Sequence, residues 1–112
     1  MTEQYLDEAL FEELRSILDT EFPTLIQTFI HDSSVRVGEL RDAFGRGDSD
    51  GVRKAAHSLK GASANLGLVA LAEACRGLEE LAREGRIAGE DARVAAVSRE
   101  QERAVVLLQS RL

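Results

Sequence analysis

The sequence predicts an all-α protein, an antiparallel up-and-down four-helix bundle with a short extra helix at its N-terminus. Ala, Leu, Glu and Arg, which favour helices, dominate the 112 residues, and Pro23 is the one proline. Glycine and polar residues cluster at 45–50, around Gly67 and at 85–89, where they indicate helix ends. Between these breaks, apolar residues recur every three or four positions, as they do in amphipathic helices. Long helices joined by short turns favour a bundle.

Each predicted helix fills the space between two of those breaks. The five helices are expected at residues 6–18, 21–44, 49–66, 68–84 and 90–110. The first is short and is interpreted as a cap on the bundle that the other four form. No internal repeat, linker or low-complexity tract divides the chain, so residues 1–112 are predicted to form a single domain.

The acidic balance of the chain bears on its partners and location. With 20 acidic and 14 basic residues, the formal net charge of -6 repels nucleic-acid phosphates and anionic membrane surfaces. The apolar stretches are too short for a membrane span or a secretory signal. We therefore expect a cytoplasmic protein that binds neither nucleic acid nor membranes.

The residues that commonly hold metals or cofactors are sparse. Cys75 is the only cysteine, so we expect no disulfide and interpret it as a small core residue. His31 and His57 lack the spacing of a zinc site, and His31 is interpreted as a surface residue. No phosphate-binding glycine loop occurs either, so no metal and no cofactor of its own are predicted.

A helical wheel places His57 away from the predicted core. The apolar stripe of the third helix is predicted to comprise Val52, Ala55, Leu59, Ala62 and Leu66. His57 falls almost opposite the centre of that stripe, on a face shared with Arg53, Lys60, Gly61 and Ala64. This histidine is therefore predicted to be exposed.

The composition of that face suits a phosphoryl group. Gly61 lies one turn after His57, although a glycine inside a helix costs about 1 kcal/mol relative to alanine. It leaves the imidazole open to another protein, while Lys60 can place an ammonium beside a group bound to the ring. Gly61, Ala64 and Leu68 are predicted to form a short-chained docking strip. The alternative interpretations are a chance pairing of His57 with Lys60 and a Gly61 that only permits close helix packing.

A longer pattern around His57 resembles the signature of the histidine-containing phosphotransfer (HPt) family, whose core is written A-H-x-L-K-G-x-S. The matching residues are Ala56, His57, Leu59, Lys60, Gly61, Ser63, Asn65 and Gly67, followed by Leu71, Cys75, Leu78 and Glu79. The resemblance is most specific over residues 55–79. It implies that His57 is the phosphoacceptor, that Lys60 neutralises the phosphate and that Gly61 keeps the site open.

Glu79 is the third candidate site residue. If the chain reverses near Gly67, helices three and four are antiparallel and Glu79 lies within about 3 Å of the level of His57. In several HPt-like domains a Glu or Gln at this position accepts a hydrogen bond from Nδ1 of the histidine. That bond would fix the tautomer and leave Nε2 as the nucleophile. The alternative is a solvated surface charge beside Glu80.

The resemblance implies a relay function rather than an autonomous enzyme. The expected partners are response-regulator receiver domains, which bring the aspartate and a Mg²⁺ ion, and a sensor histidine kinase of plain or hybrid type. We expect a monomer that docks its partners through Arg53, Gly61, Ala64 and Leu68. The alternative function is a non-catalytic adaptor or decoy that sequesters a receiver through the same face. An enzyme of another type is disfavoured, because no acid–base pair is visible.

Overall fold

The computed structural model describes residues 5–112 and confirms the all-helical fold. The helices are α1 (Glu8–Leu18), α2 (Phe22–Gly45), α3 (Ser49–Asn65), α4 (Val69–Arg83) and α5 (Asp91–Ser110). Every predicted helix end lies within two residues of the observed one. A 3₁₀ turn at Asp19–Glu21, which was not predicted, joins α1 to α2. Within residues 5–112, no helix combines the length and apolar character needed to cross a membrane.

Helices α2 to α5 form an up-and-down bundle. Each of them packs against its neighbour in the chain, and α5 closes the bundle against α2. The α3–α4 pair is the most extensive of these interfaces. The two helices that carry His57 and Glu79 are therefore held together along most of their length.

The core runs along the bundle axis and consists mainly of aliphatic side chains. Its fully buried members include Ile26, Leu40, Val52, Leu59, Leu71, Cys75, Leu78, Val97 and Leu108. The predicted core position of Cys75 is thereby confirmed.

One predicted core position in α3 is wrong. Ala62 is exposed, whereas Ala56 and Ser63 are fully buried. The reason is that α3 packs between α2 and α4, which centres its buried face on Ala56, Leu59 and Ser63. The buried hydroxyl of Ser63 is satisfied because it donates a hydrogen bond to the Leu59 carbonyl at 2.7 Å.

Residues 5–7, which we call the N-terminal strap, cap the start of α4. The Tyr5 carbonyl accepts hydrogen bonds from the amides of Val69 at 3.0 Å and Ala70 at 3.4 Å. The Asp7 amide donates to the Gly67 carbonyl at 2.8 Å. The N-cap residue of α4, Leu68, provides no side-chain hydrogen bond to the helix start. The strap therefore satisfies backbone donors that a helix start otherwise leaves unpaired.

Helix α1 continues from the strap and covers one end of the bundle. Phe11 is fully buried and meets Phe22 edge-to-face, with 5.3 Å between ring centroids. Glu8 accepts two hydrogen bonds from Arg111, at 2.7 and 3.1 Å. These contacts agree with the interpretation of the first helix as a cap.

We expect Gly67→Ala to destabilise the protein by about 2 to 3 kcal/mol. Gly67 lies two residues after the end of α3 with a left-handed backbone, φ +76°, and a Cβ there would lie 3.0 Å from the Asp7 carbonyl oxygen. Denaturant unfolding measures this loss of unfolding free energy.

Gly85→Ala is the matched control, because its φ is +71° and its Cβ would meet no atom within 4 Å. The control should lose only about 1 kcal/mol of unfolding free energy, which is the cost of placing an alanine in a left-handed backbone conformation. Equal losses would show that the strap contributes nothing at Gly67.

Candidate functional site

His57 lies in the interior of α3 with its ring at the boundary between α3 and α4. Its side chain is 65% exposed, as the helical wheel predicted. The ring nitrogen Nδ1 lies 2.8 Å from Oε2 of Glu79, across the α3–α4 interface. The imidazole is therefore held at one nitrogen and open to solvent on the rest of the ring.

The carboxylate of Glu79 is the centre of the site. Its side chain is only 2% exposed, so the alternative interpretation as a solvated surface charge is wrong. Oε2 accepts from both His57 Nδ1 and Arg83 Nη2, each at 2.8 Å. Oε1 lies 2.7 Å from Nζ of Lys60. Two helices thus contribute three partners to one buried carboxylate.

These contacts keep Glu79 ionised. Burial is the largest influence on its pKa and raises it, because a charge is poorly solvated inside a protein. The contacts with Lys60 and His57 together outweigh burial, so the pKa of Glu79 lies below its usual value. At neutral pH the group is a carboxylate, which accepts hydrogen bonds and donates none.

The ionised carboxylate determines the tautomer of His57. Since Glu79 can only accept, the Nδ1 atom facing Oε2 carries the hydrogen. In the neutral imidazole the other nitrogen, Nε2, then has a free lone pair. The sequence-based expectation for the Glu79–His57 pair therefore agrees with the geometry.

Arg83 is a site residue that the sequence interpretation missed. It was not among the residues predicted for the site, yet its guanidinium contacts the oxygen of Glu79 that also faces His57. The spacing was the available signal, because Glu79 and Arg83 are four residues apart on one helix and face each other.

The surface beside His57 has the open character expected from Gly61 and Ala64. Both residues are exposed, and a Cβ at Gly61 would meet nothing within 4 Å. Arg53, which was expected to contact partners, lies one turn before His57 and is half-buried. Its Nη2 lies 2.8 Å from Oδ1 of Asp50.

The inclusion of Leu68 in the exposed docking strip is wrong. Its side chain is fully buried, and its backbone forms an isolated bridge with Leu6 of the strap. Leu68 lies in the turn between α3 and α4, so the helical spacing that extended the strip from Gly61 and Ala64 no longer applies there.

His31 lies apart from the site. It is exposed on α2, which agrees with its interpretation as a surface residue. Within residues 5–112, the His, Cys, Asp and Glu side chains form no group of three that could hold a metal ion.

Cys75 is expected to be inert towards thiol reagents in the native protein. Burial, reinforced by the negative charge of Glu79, raises the pKa of the Cys75 thiol to about 12. The reactive thiolate is then a fraction on the order of 10⁻⁴ at pH 8, and the residue has no exposed surface. An Ellman assay should detect its one thiol only after denaturation. Rapid native labelling would contradict the buried position.

The comparisons with known proteins agree with this site. The Hpt domain model matches residues 24–109. Histidine-containing phosphotransfer protein B (HptB) from Pseudomonas aeruginosa PAO1 is 34% identical, with 98% of this chain and 96% of that chain covered and a TM-score of 0.93. Histidine-containing phosphotransfer protein ZmHP2 from maize, at 22% identity, covers 96% of this chain and 86% of its own with a TM-score of 0.75, and supports the fold alone. A search of curated proteins finds no match.

These matches confirm the resemblance that was found from the sequence. The Hpt model spans most of the chain, including both His57 and Glu79. The likeness to HptB extends over nearly the whole of both chains. The protein therefore belongs to the Hpt domain family and is a homologue of histidine-containing phosphotransfer proteins.

Proposed function

We propose that this protein is a phosphorelay intermediate that carries a phosphoryl group on Nε2 of His57, to or from the aspartate of a receiver domain. The observation that carries the proposal is the 2.8 Å contact between His57 Nδ1 and the buried Glu79 carboxylate. That contact leaves Nε2 as an exposed nucleophile on a fixed ring.

The transfer step needs no proton movement at the histidine. The lone pair of Nε2 attacks the phosphorus of the aspartyl phosphate, a P–N bond forms, the P–O bond breaks, and the aspartate leaves as a carboxylate. The hydrogen stays on Nδ1, so the ring gains a positive charge. Glu79 lies 2.8 Å away and stabilises that charge as it develops.

The surroundings of His57 account for the rest of the chemistry. Lys60 is within reach of a phosphoryl group on the ring and opposes its negative charge. Gly61 and Ala64 give a partner access to Nε2, with Arg53 at the edge of the docking surface. The receiver supplies the aspartate and its Mg²⁺ ion, and a sensor histidine kinase is the source from which the phosphoryl group enters the relay. The protein thus acts as a substrate of its partners rather than as an enzyme.

The test is incubation with a phosphorylated receiver domain in the presence of Mg²⁺. We expect the phosphoryl group to appear on this protein as an acid-labile, base-stable phosphoramidate, observed by ³¹P NMR. Screening the receiver domains of the source organism identifies the cognate partner. Binding to a receiver that never leads to transfer would instead support the adaptor or decoy function.

A further inference from the structure

Two cations face the single carboxylate of Glu79. Lys60 contacts it from α3, and Arg83 contacts it from α4. A buried carboxylate is costly unless it is paired, and one of these cations suffices to balance its formal charge. With a neutral imidazole, the site therefore carries one excess positive charge before a phosphoryl group arrives.

The two cations are held differently. Arg83 makes a directed hydrogen bond to Oε2, from one turn away on the same helix. Nζ of Lys60 lies 2.7 Å from Oε1, but among residues 5–112 no group meets Oε1 with hydrogen-bond geometry. The ammonium of a lysine sits on a flexible stem, whereas a guanidinium offers a rigid fork that stays charged. Lys60 is therefore the cation that can change partners.

After phosphorylation of His57, the phosphoryl group and the Glu79 carboxylate would compete for the ammonium of Lys60. A phosphoryl group at neutral pH carries nearly two negative charges, and Lys60 lies one turn from His57, with both side chains contacting the Glu79 carboxylate. If Lys60 were the only counter-ion of Glu79, its departure would leave a buried carboxylate held by the imidazole alone.

We propose that Arg83 is a positioning residue, the permanent counter-ion of Glu79 that allows Lys60 to move from the carboxylate to the phosphoryl group. This inference rests on the proposed function of His57. Arg83 itself makes no contact with the phosphoryl group. It keeps Glu79 paired and its Oε2 in place under Nδ1, while Lys60 neutralises the new charge.

The first test compares two arginine substitutions on α4. We expect Arg83→Gln to slow transfer from a phosphorylated receiver about tenfold, and Arg83→Lys to restore part of the rate because it keeps the charge. Arg76→Gln is the matched control. Arg76 also pairs with a glutamate four residues away on α4, at 2.9 Å, but that partner is Glu80 rather than Glu79. Equal rates for Arg83→Gln and Arg76→Gln would overturn the inference.

The second test asks whether Arg83 acts through Glu79. In a Glu79→Gln background the carboxylate is gone, so adding Arg83→Gln should leave the reduced transfer rate unchanged. If Arg83 contacted the phosphoryl group directly, the second substitution would slow transfer further in that background. That result would overturn the positioning role.

The third test does not use transfer at all. The ¹³C resonance of the Glu79 carboxyl group reports its titration in the unphosphorylated protein. The groups facing it are His57 and Lys60 on α3, and Arg83 and the Cys75 thiol on α4. Arg83→Gln should move the pKa of Glu79 upward, and Arg76→Gln should leave it in place. An unmoved pKa would overturn this inference alone, whereas a wild-type protein that accepts no phosphoryl group would overturn the proposed function.

Discussion

Replacing His57 by glutamine is expected to abolish phosphorylation and leave the bundle folded. Glutamine lacks the nucleophilic Nε2, but its amide can still donate a hydrogen bond towards Glu79. The His57 side chain is 65% exposed, so no core packing is lost. We expect the free energy of unfolding to change by no more than about 1 kcal/mol. Labelling from a phosphorylated receiver and thermal unfolding measure the two effects separately.

His31→Gln is the control for this experiment. The chain contains two histidines, and His31 is likewise exposed on a helix. The same substitution there should leave labelling at the wild-type level. Residual labelling of the His57→Gln variant, or loss of the label in the His31→Gln variant, would show that the phosphoacceptor is misassigned.

Gly61→Arg is expected to block transfer while making the helix more stable. A Cβ at Gly61 meets no atom within 4 Å, so the new side chain fits without disturbing the bundle. Helix propensity then favours arginine by about 0.5 to 1 kcal/mol. The long arginine side chain would extend from a position one helical turn after His57, on the surface where a receiver must approach Nε2. We expect the transfer rate to fall at least about tenfold through steric overlap. The rate and the thermal midpoint should therefore move in opposite directions.

The matched control is Gly38→Arg. Gly38 is also exposed inside a helix, and its Cβ would also meet nothing within 4 Å, but it lies on α2 away from the α3–α4 interface. It should gain similar stability and keep the wild-type transfer rate. If Gly61→Arg unfolded the protein, the glycine would be required for packing. If Gly61→Arg left transfer unchanged, partners would have to dock on another face.

The fold was predictable because local signals mark nearly every helix end. Glycines at the ends of α3 and α4 occupy left-handed conformations that other residues rarely adopt, and Asp48 caps the start of α3 with its side chain. Ala62 was misplaced because an alanine is equally compatible with a core and a surface, and only the packing of α2 and α4 on α3 decides between them. The position of the 3₁₀ turn at Asp19–Glu21 had no such local signal.

The site was predictable in part. His57 and Glu79 could be paired, because helical geometry and the family resemblance both placed them level across the interface. The burial of Glu79 was not predictable from its own helix, since it depends on how closely α3 approaches α4. Nor does the sequence reveal that Lys60 contacts Glu79 before any phosphoryl group arrives. Such contacts between separate helices follow from side-chain conformations in the packed structure.

The N-terminal strap has a consequence for the order in which the molecule assembles and opens. The contacts of the strap and of α1 join residues far apart in the chain: the Tyr5 carbonyl of the strap accepts from the Val69 amide, and the Glu8–Arg111 pair of α1 spans 103 residues. Closing so long a loop costs entropy before the contact forms, so we expect α1 to dock after α2 to α5 have associated. Helix α1 has one fully buried side chain, Phe11, so we expect it to open first in a fluctuation short of global unfolding. Hydrogen exchange at the first amides of α4 would follow that opening, while the second half of α4, where Glu79 lies, would stay protected.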